Sequence, residues 1–386
     1  MKKKTPNGLG SIRKKVVNGK TYFEGRFTDP ATGRRCSTSG KTESECRAKL
    51  QQAITAAASG RLVEPNKITV AEWIDRWLSE RNSIAATTAA NYRKHFENYI
   101  RPEIGSIHVQ SLHRSHCQTL VNALTGAPGR KGTLQPRTIR NAVSVLSSAL
   151  DEAVKQGIIA TNPAAHLDLP RIEKKPPRVL DEDHQSALVN ALSESRFGKL
   201  YFVMLHTGVR ISEALGLQWK NIDLVNGCMT VTGQLSRKDG ADTERTLTAT
   251  KTNKYRAIPL PPFLCAAFKE IDIQQKTAKM KAGSEWGNSL GLVFTDDLGN
   301  PISHSSVEKD FKRTCERAGL DNVSPHALRH TDITNRIRRG DDLKTVSGIA
   351  GHSTISTTAD IYAGITNSML QASAARAQEE YESRKA

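Results

Sequence analysis

The sequence predicts a multidomain α+β chain: a small three-stranded sheet with one helix, an all-helical segment, and a mixed α/β segment that is mainly helical. Three observations carry that expectation. Residues 11–39 alternate β-type runs with turn signals. Residues 70–155 hold apolar stripes at the helical period. Residues 169–178, LPRIEKKPPR, contain three prolines and cannot continue a helix, so they read as a linker. The expected domains are therefore 1–64, 65–168 and 179–386, with 169–178 between the last two.

Each element has a local reason. Ser11–Val17 and Thr21–Thr28 flank Asn18-Gly19, a strong two-residue hairpin signal. Asp29–Gly33 is a second turn and Arg34–Ser39 a third strand. Thr42 and Glu45 form a capping box that opens a helix reaching Ala58. A second box, Thr69 and Glu72, precedes Val70, Trp73, Ile74, Trp77 and Leu78, the spacing of a buried helical stripe. Ala89–Ile100 is expected as a helix that ends before Pro102. Arg114–Leu124 and Arg137–Lys155 follow, the latter with Ile139, Val143, Leu146, Leu150 and Val154 on one face. Beyond the linker, Asp181–Ser193 and Arg196–Gly216 read as helices. Gly227–Thr232, Arg245–Ala249 and Tyr255–Pro259 read as strands, and the rest as mostly helix.

Charge narrows the partners. Lys and Arg number 56 against 39 Asp and Glu, a net +17 over 386 residues. Such a surplus attracts polyanions, with nucleic acid ahead of an anionic membrane surface. No apolar run approaches bilayer-spanning length. The basic stretch Met1–Ser11 has no apolar stretch behind it, so it is not a signal peptide and a cytoplasmic location is expected. Residues 1–64 alone carry 14 Lys and Arg against 5 Asp and Glu, more than half of the net charge. A small basic sheet can lay strands into a DNA major groove. Its candidate DNA contacts are Arg13, Lys14, Lys15, Arg26, Arg34 and Arg35; the alternative is a solvated basic face. Arg130 and Lys131 in a glycine-rich loop, and Lys174 and Lys175 in the linker, are further candidates. The six cysteines are scattered without a C-x-x-C pair, which points to neither a zinc site nor a disulfide framework.

Phosphodiester cleavage without a metal needs fixed cations, ideally Arg forks, against the charge that develops on the phosphate oxygens. It needs a nucleophilic hydroxyl and a donor for the leaving oxygen. A two-metal site would instead need clustered carboxylates. The sequence presents no convincing cluster of that kind, so neither metal nor other cofactor is expected.

Four stretches match these requirements. They are TGVRISEALGLQW (207–219), TKTNKYR (250–256), HALRHT (326–331) and GHSTISTTADIY (351–362). Together they resemble the tyrosine recombinase, or phage-type integrase, family. Its pattern is T-G-x-R-x-x-E, a hairpin lysine, H-x-x-R, then G-H-x-x-x-x-x-T-x-x-x-Y. One such motif is weak; the ordered set is specific. The strong resemblance covers the C-terminal half. The middle segment resembles the family's helical core-binding domain, and the first its small arm-binding domain.

The resemblance implies roles. Arg210 and Arg329 would clamp the non-bridging oxygens, with Glu213 orienting Arg210. His326 and His352 would hydrogen-bond the same phosphate, with His326 a candidate to take the tyrosine proton. Lys251 would protonate the departing 5′ oxygen, with Lys254 near enough to compete. Tyr362 would attack, leaving a 3′-phosphotyrosyl link. The partners implied are double-stranded DNA at core and arm sites, a homotetramer on paired sites, and a helper protein for excision, as such proteins accompany the family. The tail after Tyr362 would dock on a neighbouring subunit or pack on its own domain. The alternatives are a non-enzymatic DNA-binding regulator and a type IB-like topoisomerase.

Each residue also has a bland reading. Arg210 and Glu213 are spaced as a surface pair. His326 and His330 have the i, i+4 spacing of a metal site, but Ala327 stands where a zinc motif has Glu, so His330 reads as a residue that supports the catalytic groups or packs behind them. Asp332 and Ala350 stand where the family carries larger apolar residues, and could alter packing behind the site.

Overall fold

A computed structural model divides the chain into two compact units, residues 1–173 and 174–386. It describes all residues except 1–9, 18–19, 31–32, 59–65, 82–83, 130–131, 174–176, 237–244, 250–254, 353, 363–373, 375–377, 379–380, 383 and 385–386, and it leaves undescribed the side chains of 17, 20, 357 and 360–362.

The first unit opens with β1 (Ser11–Val17), β2 (Lys20–Thr28) and β3 (Arg35–Gly40), an antiparallel sheet in that order. Val17 pairs with Lys20, so the strands join across 18 and 19, the expected turn, which itself lies outside the described residues. Strand alternation gives the sheet two unlike faces. Ile12, Phe27 and Cys36 pack with Leu50, Ala53, Ile54 and Ala57 of helix α1 (Glu43–Ala58). Thr42 Oγ1 accepts from the Glu45 N–H (3.2 Å), but the Glu45 carboxylate reaches back to the Lys41 N–H (2.8 Å) rather than to Thr42.

The helical part contains α2 (Val70–Glu80), α3 (Ala86–His95), α4 (Arg101–Ile104), α5 (Arg114–Gly126) and α6 (Pro136–Lys155), with a short hairpin of β4 (Pro128–Gly129) and β5 (Gly132–Thr133) before α6. The α2 capping box is reciprocal: Glu72 N–H donates to Thr69 Oγ1 (3.2 Å), and Thr69 N–H to the Glu72 carboxylate (2.8 Å). Val70, Trp73, Ile74, Trp77 and Leu78 are buried against Ile139, Val143, Leu146 and Leu150 of α6, as their spacing requires. Each large apolar side chain so buried contributes about 1.5–3 kcal/mol.

One expectation fails here. Pro102 does not end the preceding helix, which starts at Ala86 and passes through a π turn, Phe96–Ile100, into α4. Arg101 N–H reaches the carbonyl of Phe96, five residues back. This wider turn restarts the helix with Pro102 in its first turn, where a missing N–H costs little.

The second unit contains α7 (Glu182–Ala191), α8 (Gly198–Thr207), α9 (Ile211–Leu215), β6 (Ile222–Asp223), β7 (Cys228–Val231), β8 (Gly233–Leu235), β9 (Leu247–Ala249), β10 (Arg256–Pro259), α10 (Pro262–Ala282), α11 (His304–Arg317), α12 (Pro325–Arg338), α13 (Leu343–Ala350) and α14 (Ile355–Tyr362). β10 pairs with β7, and β7 with β6; β8 and β9 form a separate hairpin. Helices α8, α10 and α11 share one apolar core with β7 and β10, including Tyr201, Met229, Ile258, Phe268 and Phe311. Asp181 caps α7 by accepting from the His184 N–H (2.8 Å).

The helix expected over 196–216 is broken. Gly208 has φ +64° and ends α8, and Arg210 is extended before α9. A Cβ at 208 would stand 2.6 Å from Asp332 Oδ2, so glycine is required there for space as well as conformation. Among the described residues, no helix is long and apolar enough to cross a membrane.

Trp73 is fully buried and donates from Nε1 to the Ala149 carbonyl (2.7 Å), tying α2 to α6. Trp73→Ala should destabilise the first unit by about 3–5 kcal/mol, through a cavity and the lost tie between α2 and α6. Chemical denaturation followed in that unit checks this; a loss under about 1 kcal/mol would place the tryptophan outside the core.

Candidate active site

The site is built on the C-terminal end of α13. Gly351 is left-handed (φ +67°), Gly351 N–H bonds the Gly348 carbonyl (3.0 Å) and His352 N–H bonds the Ser347 carbonyl (3.1 Å). This is a Schellman ending, and it leaves the next carbonyls without helical partners. Three successive ones are met by three different arginines. Arg256 Nε donates to Ile349 (2.7 Å), Arg329 Nη2 to Ala350 (2.5 Å) and Arg210 Nη2 to Gly351 (3.2 Å). Arg329 also donates from Nη1 to the Gly208 carbonyl (2.6 Å). It therefore bridges the ends of α8 and α13, where helix dipoles favour a cation.

Glu213 completes the frame. Its carboxylate accepts from the Arg210 backbone N–H (2.9 Å) and Nη1 (2.9 Å), and from Arg256 Nη1 (3.1 Å) and Nη2 (2.6 Å). Only 3% of Glu213 is exposed, so this is not the surface pair that the spacing alone suggests. Burial opposes its charge, but Arg256 and then Arg210 hold its carboxyl below the usual range. Removing one member of such a buried set costs about 3–5 kcal/mol, against about 0–1 for an exposed pair.

Two departures from the family pattern are accommodated. Asp332 is buried against Gly208 and accepts from Arg336 Nε (2.8 Å), while Arg336 Nη2 reaches the His206 carbonyl (3.3 Å). Burial pushes the Asp332 carboxyl up, and Arg336 opposes that shift. Ala350 is buried and contributes its carbonyl to Arg329.

The histidines surround the arginines. His352 is held by a hydrogen bond between Nδ1 and Thr358 Oγ1 (2.8 Å). Burial, then Arg329 and Arg210, push its imidazole down to about 4. His326 sits in the first turn of α12, exposed at the rim, yet enough protein surrounds the ring that desolvation, with Arg329 and Arg210, lowers its pKa. His330 stands edge-to-face with His326 (4.6 Å between centroids), and its Nδ1 is buried without a hydrogen-bond partner. Burial, then His326 and Arg329, push it down to about 4. Burial and Arg210 lower Arg329 to about 9, which leaves it protonated at neutral pH.

The structure thus brings Arg210, Glu213, His326, Arg329, His330 and His352 together. Tyr362 is the last residue of α14, which packs against α12 and α13. Its side chain, Lys251 and Lys254 lie outside the described residues, as do Arg130, Lys131, Lys174 and Lys175. In the first unit, Arg13 (2.7 Å), Lys15 (3.1 Å) and Arg26 (3.1 Å) converge on Glu24, and Arg13 above all holds that carboxyl down to about 2. Register puts Arg35 on this same face, away from α1, whereas Lys14 alternates to the face of Ile12. Arg34 is exposed just before β3.

Sequence reasoning gave no role to Arg256 or Thr358. Both lie within the quoted motifs, but only the fold shows what they touch.

Folded His330 and His352 bind protons near pH 4, against an ordinary 6.5. Between those values the unfolded chain binds more protons, so stability falls as pH drops from about 6.5 toward about 4, and these groups add no slope above 6.5. His330→Leu should flatten the fall in melting temperature of this unit across that window. An unchanged slope would contradict a buried, neutral His330.

Comparison with known proteins agrees with this geometry. Residues 178–369 match the Phage integrase family, and residues 69–125 match the phage integrase N-terminal SAM-like domain. The chain is 31% identical over 371 residues to a tyrosine recombinase XerC-like protein of Caldanaerobacter subterraneus subsp. tengcongensis, covering 90% of this chain and 93% of that one. Its fold is similar to the Tn1549 transposon integrase in complex with a circular intermediate DNA (TM-score 0.69, 22% identity, 80% of this chain and 99% of that one). It is also similar to lambda integrase in a tetramer bound to a Holliday junction (TM-score 0.58, 18% identity, 93% and 96%). The chain belongs to the phage integrase family of tyrosine recombinases, enzymes that cleave and rejoin DNA.

Proposed function

We propose that this chain is a site-specific recombinase that integrates and excises a mobile element through a covalent link between Tyr362 and a DNA 3′ phosphate. The observation that carries the reading is the placement of Arg210 and Arg329 on adjacent carbonyls, with His352 bonded through Thr358 beside them. Two guanidinium groups fixed before the substrate arrives need no reorganisation as charge builds on the phosphate oxygens.

Tyr362 Oη attacks phosphorus, and neutral His326 takes its proton. In the tautomer that lets Nδ1 accept from Thr358 Oγ1, His352 carries its proton on Nε2 and offers it to a non-bridging oxygen. Arg329 spends two of its five N–H groups on carbonyls and keeps the rest for phosphate. It is only 1% exposed, so its surroundings open when DNA enters. Lys251 donates the proton that the departing 5′ oxygen needs. The phosphotyrosine conserves the phosphodiester bond, so attack by a 5′ hydroxyl rejoins DNA without ATP.

In this reading the SAM-like segment and the catalytic unit both grip core DNA, and the cationic face of β1–β3 grips arm DNA. Four copies pair two sites in the cytoplasm of a bacterial host, with a helper protein directing excision.

A nicked core-site duplex, which loses its short strand after cleavage, tests the chemistry. The wild-type chain should form a protein–DNA adduct that survives denaturing electrophoresis, and Tyr362→Phe should form none. Arg210→Ala should slow adduct formation by about 10²–10³-fold, the usual effect of removing a donor to a developing oxyanion. An adduct that persists in Tyr362→Phe removes Tyr362 as nucleophile, and binding without any adduct favours a regulator.

A further inference from the structure

We infer that Arg256, which no motif singles out, is a positioning residue for strand cleavage: it locks Glu213 and the end of α13 in the geometry that aims Arg210. The inference rests on the recombinase reading above. Arg256 begins β10, and its side chain is 9% exposed. All three guanidinium nitrogens are engaged: Nε on the Ile349 carbonyl, and Nη1 and Nη2 on the two oxygens of Glu213. Those same oxygens hold Arg210, Oε1 its Nη1 and Oε2 its backbone N–H. Each Glu213 oxygen thus joins one arginine that faces the site to one that does not.

Geometry sets the direction of dependence. Arg210 keeps 37% of its side chain exposed and is free to meet a ligand, whereas Arg256 is enclosed. The β10 backbone is paired independently, Arg256 opposite Val231, so losing the side chain leaves the strand in place. The apolar core of the unit does not include Arg256. What is lost is the far half of the Glu213 fork and the anchor at Ile349, two residues before the carbonyl that holds Arg210. Gly351 fits the same contact closely: a Cβ there would meet Arg256 Nη1 at 2.9 Å. Lysine replaces this residue only in part, because an ammonium keeps the charge but lacks the planar fork that spans both oxygens.

The test uses the full chain on the nicked core-site duplex, with two readouts: the adduct-forming rate at saturating protein, and the affinity for intact core DNA. Arg256→Leu should slow adduct formation by about 100-fold, the scale of an ångström-level misplacement, while affinity changes by less than about threefold. Arg256→Lys should recover part of the rate. In the Glu213→Gln background, Arg256→Leu should cost far less than alone, since both act through one carboxylate. A wild-type rate in Arg256→Leu overturns the inference. So does a rate loss matched by an equal loss of affinity, or costs of the two substitutions that multiply. Should Arg256→Leu fail to fold, the cycle is run with Arg256→Lys and read by the same criteria. Absence of adduct from the wild-type chain would instead sink the recombinase reading.

Discussion

The candidate active site depends on how one short helix ends. The Schellman turn at Gly351 satisfies the carbonyls of Ser347 and Gly348 and leaves those of Ile349, Ala350 and Gly351 for other donors. Buried carbonyls must find partners, and here each takes a guanidinium from a different part of the fold: β10, α12 and the turn before α9. The same turn presents His352, whose ring Thr358 fixes from α14. One helix end therefore sets the separation of the two arginines proposed for the phosphate and the histidine beside them.

Three guanidinium groups in one place repel each other, so the arrangement needs compensation before any DNA arrives. Glu213 supplies one full negative charge, shared by Arg210 and Arg256. The ends of α8 and α13 supply partial charge to Arg329, and buried Asp332 lies behind it. The histidines contribute none, because burial and the arginines hold His330 and His352 near 4. The balance stays cationic, which suits the phosphate proposed for this site. A neutral His326 is also the form that can accept a proton.

Much of this was legible from residue order. The stripe Val70–Leu78 forecast the buried face of α2, because helical period and apolar burial are local facts. The motif set located Arg210, Glu213, His326, Arg329 and His352, which the fold gathers from α9, α12 and the end of α13. Other features depended on tertiary contacts. Pro102 reads as a stop, yet a π turn carries the helix past it. Gly208 lies inside an apolar helical run, and only its left-handed conformation and Asp332 reveal the break. Asp332 looks misplaced among apolar neighbours until Arg336, one turn later on α12, is seen to pair with it. Arg256 stood within a quoted stretch, but its partner Glu213 lies 43 residues away in sequence and leaves no local trace; Thr358 is six residues from His352, and only the fold shows that the two touch.

The most direct measurement is a crystal structure of the covalent adduct trapped on a nicked core site. The expected result is a phosphate on Tyr362 whose non-bridging oxygens accept from Arg210 and Arg329. Those two arginines should still donate to the Gly351 and Ala350 carbonyls, and Arg256 to that of Ile349. A phosphate carried by another residue, or arginines that leave the end of α13 to reach it, would contradict a site organised by that helix.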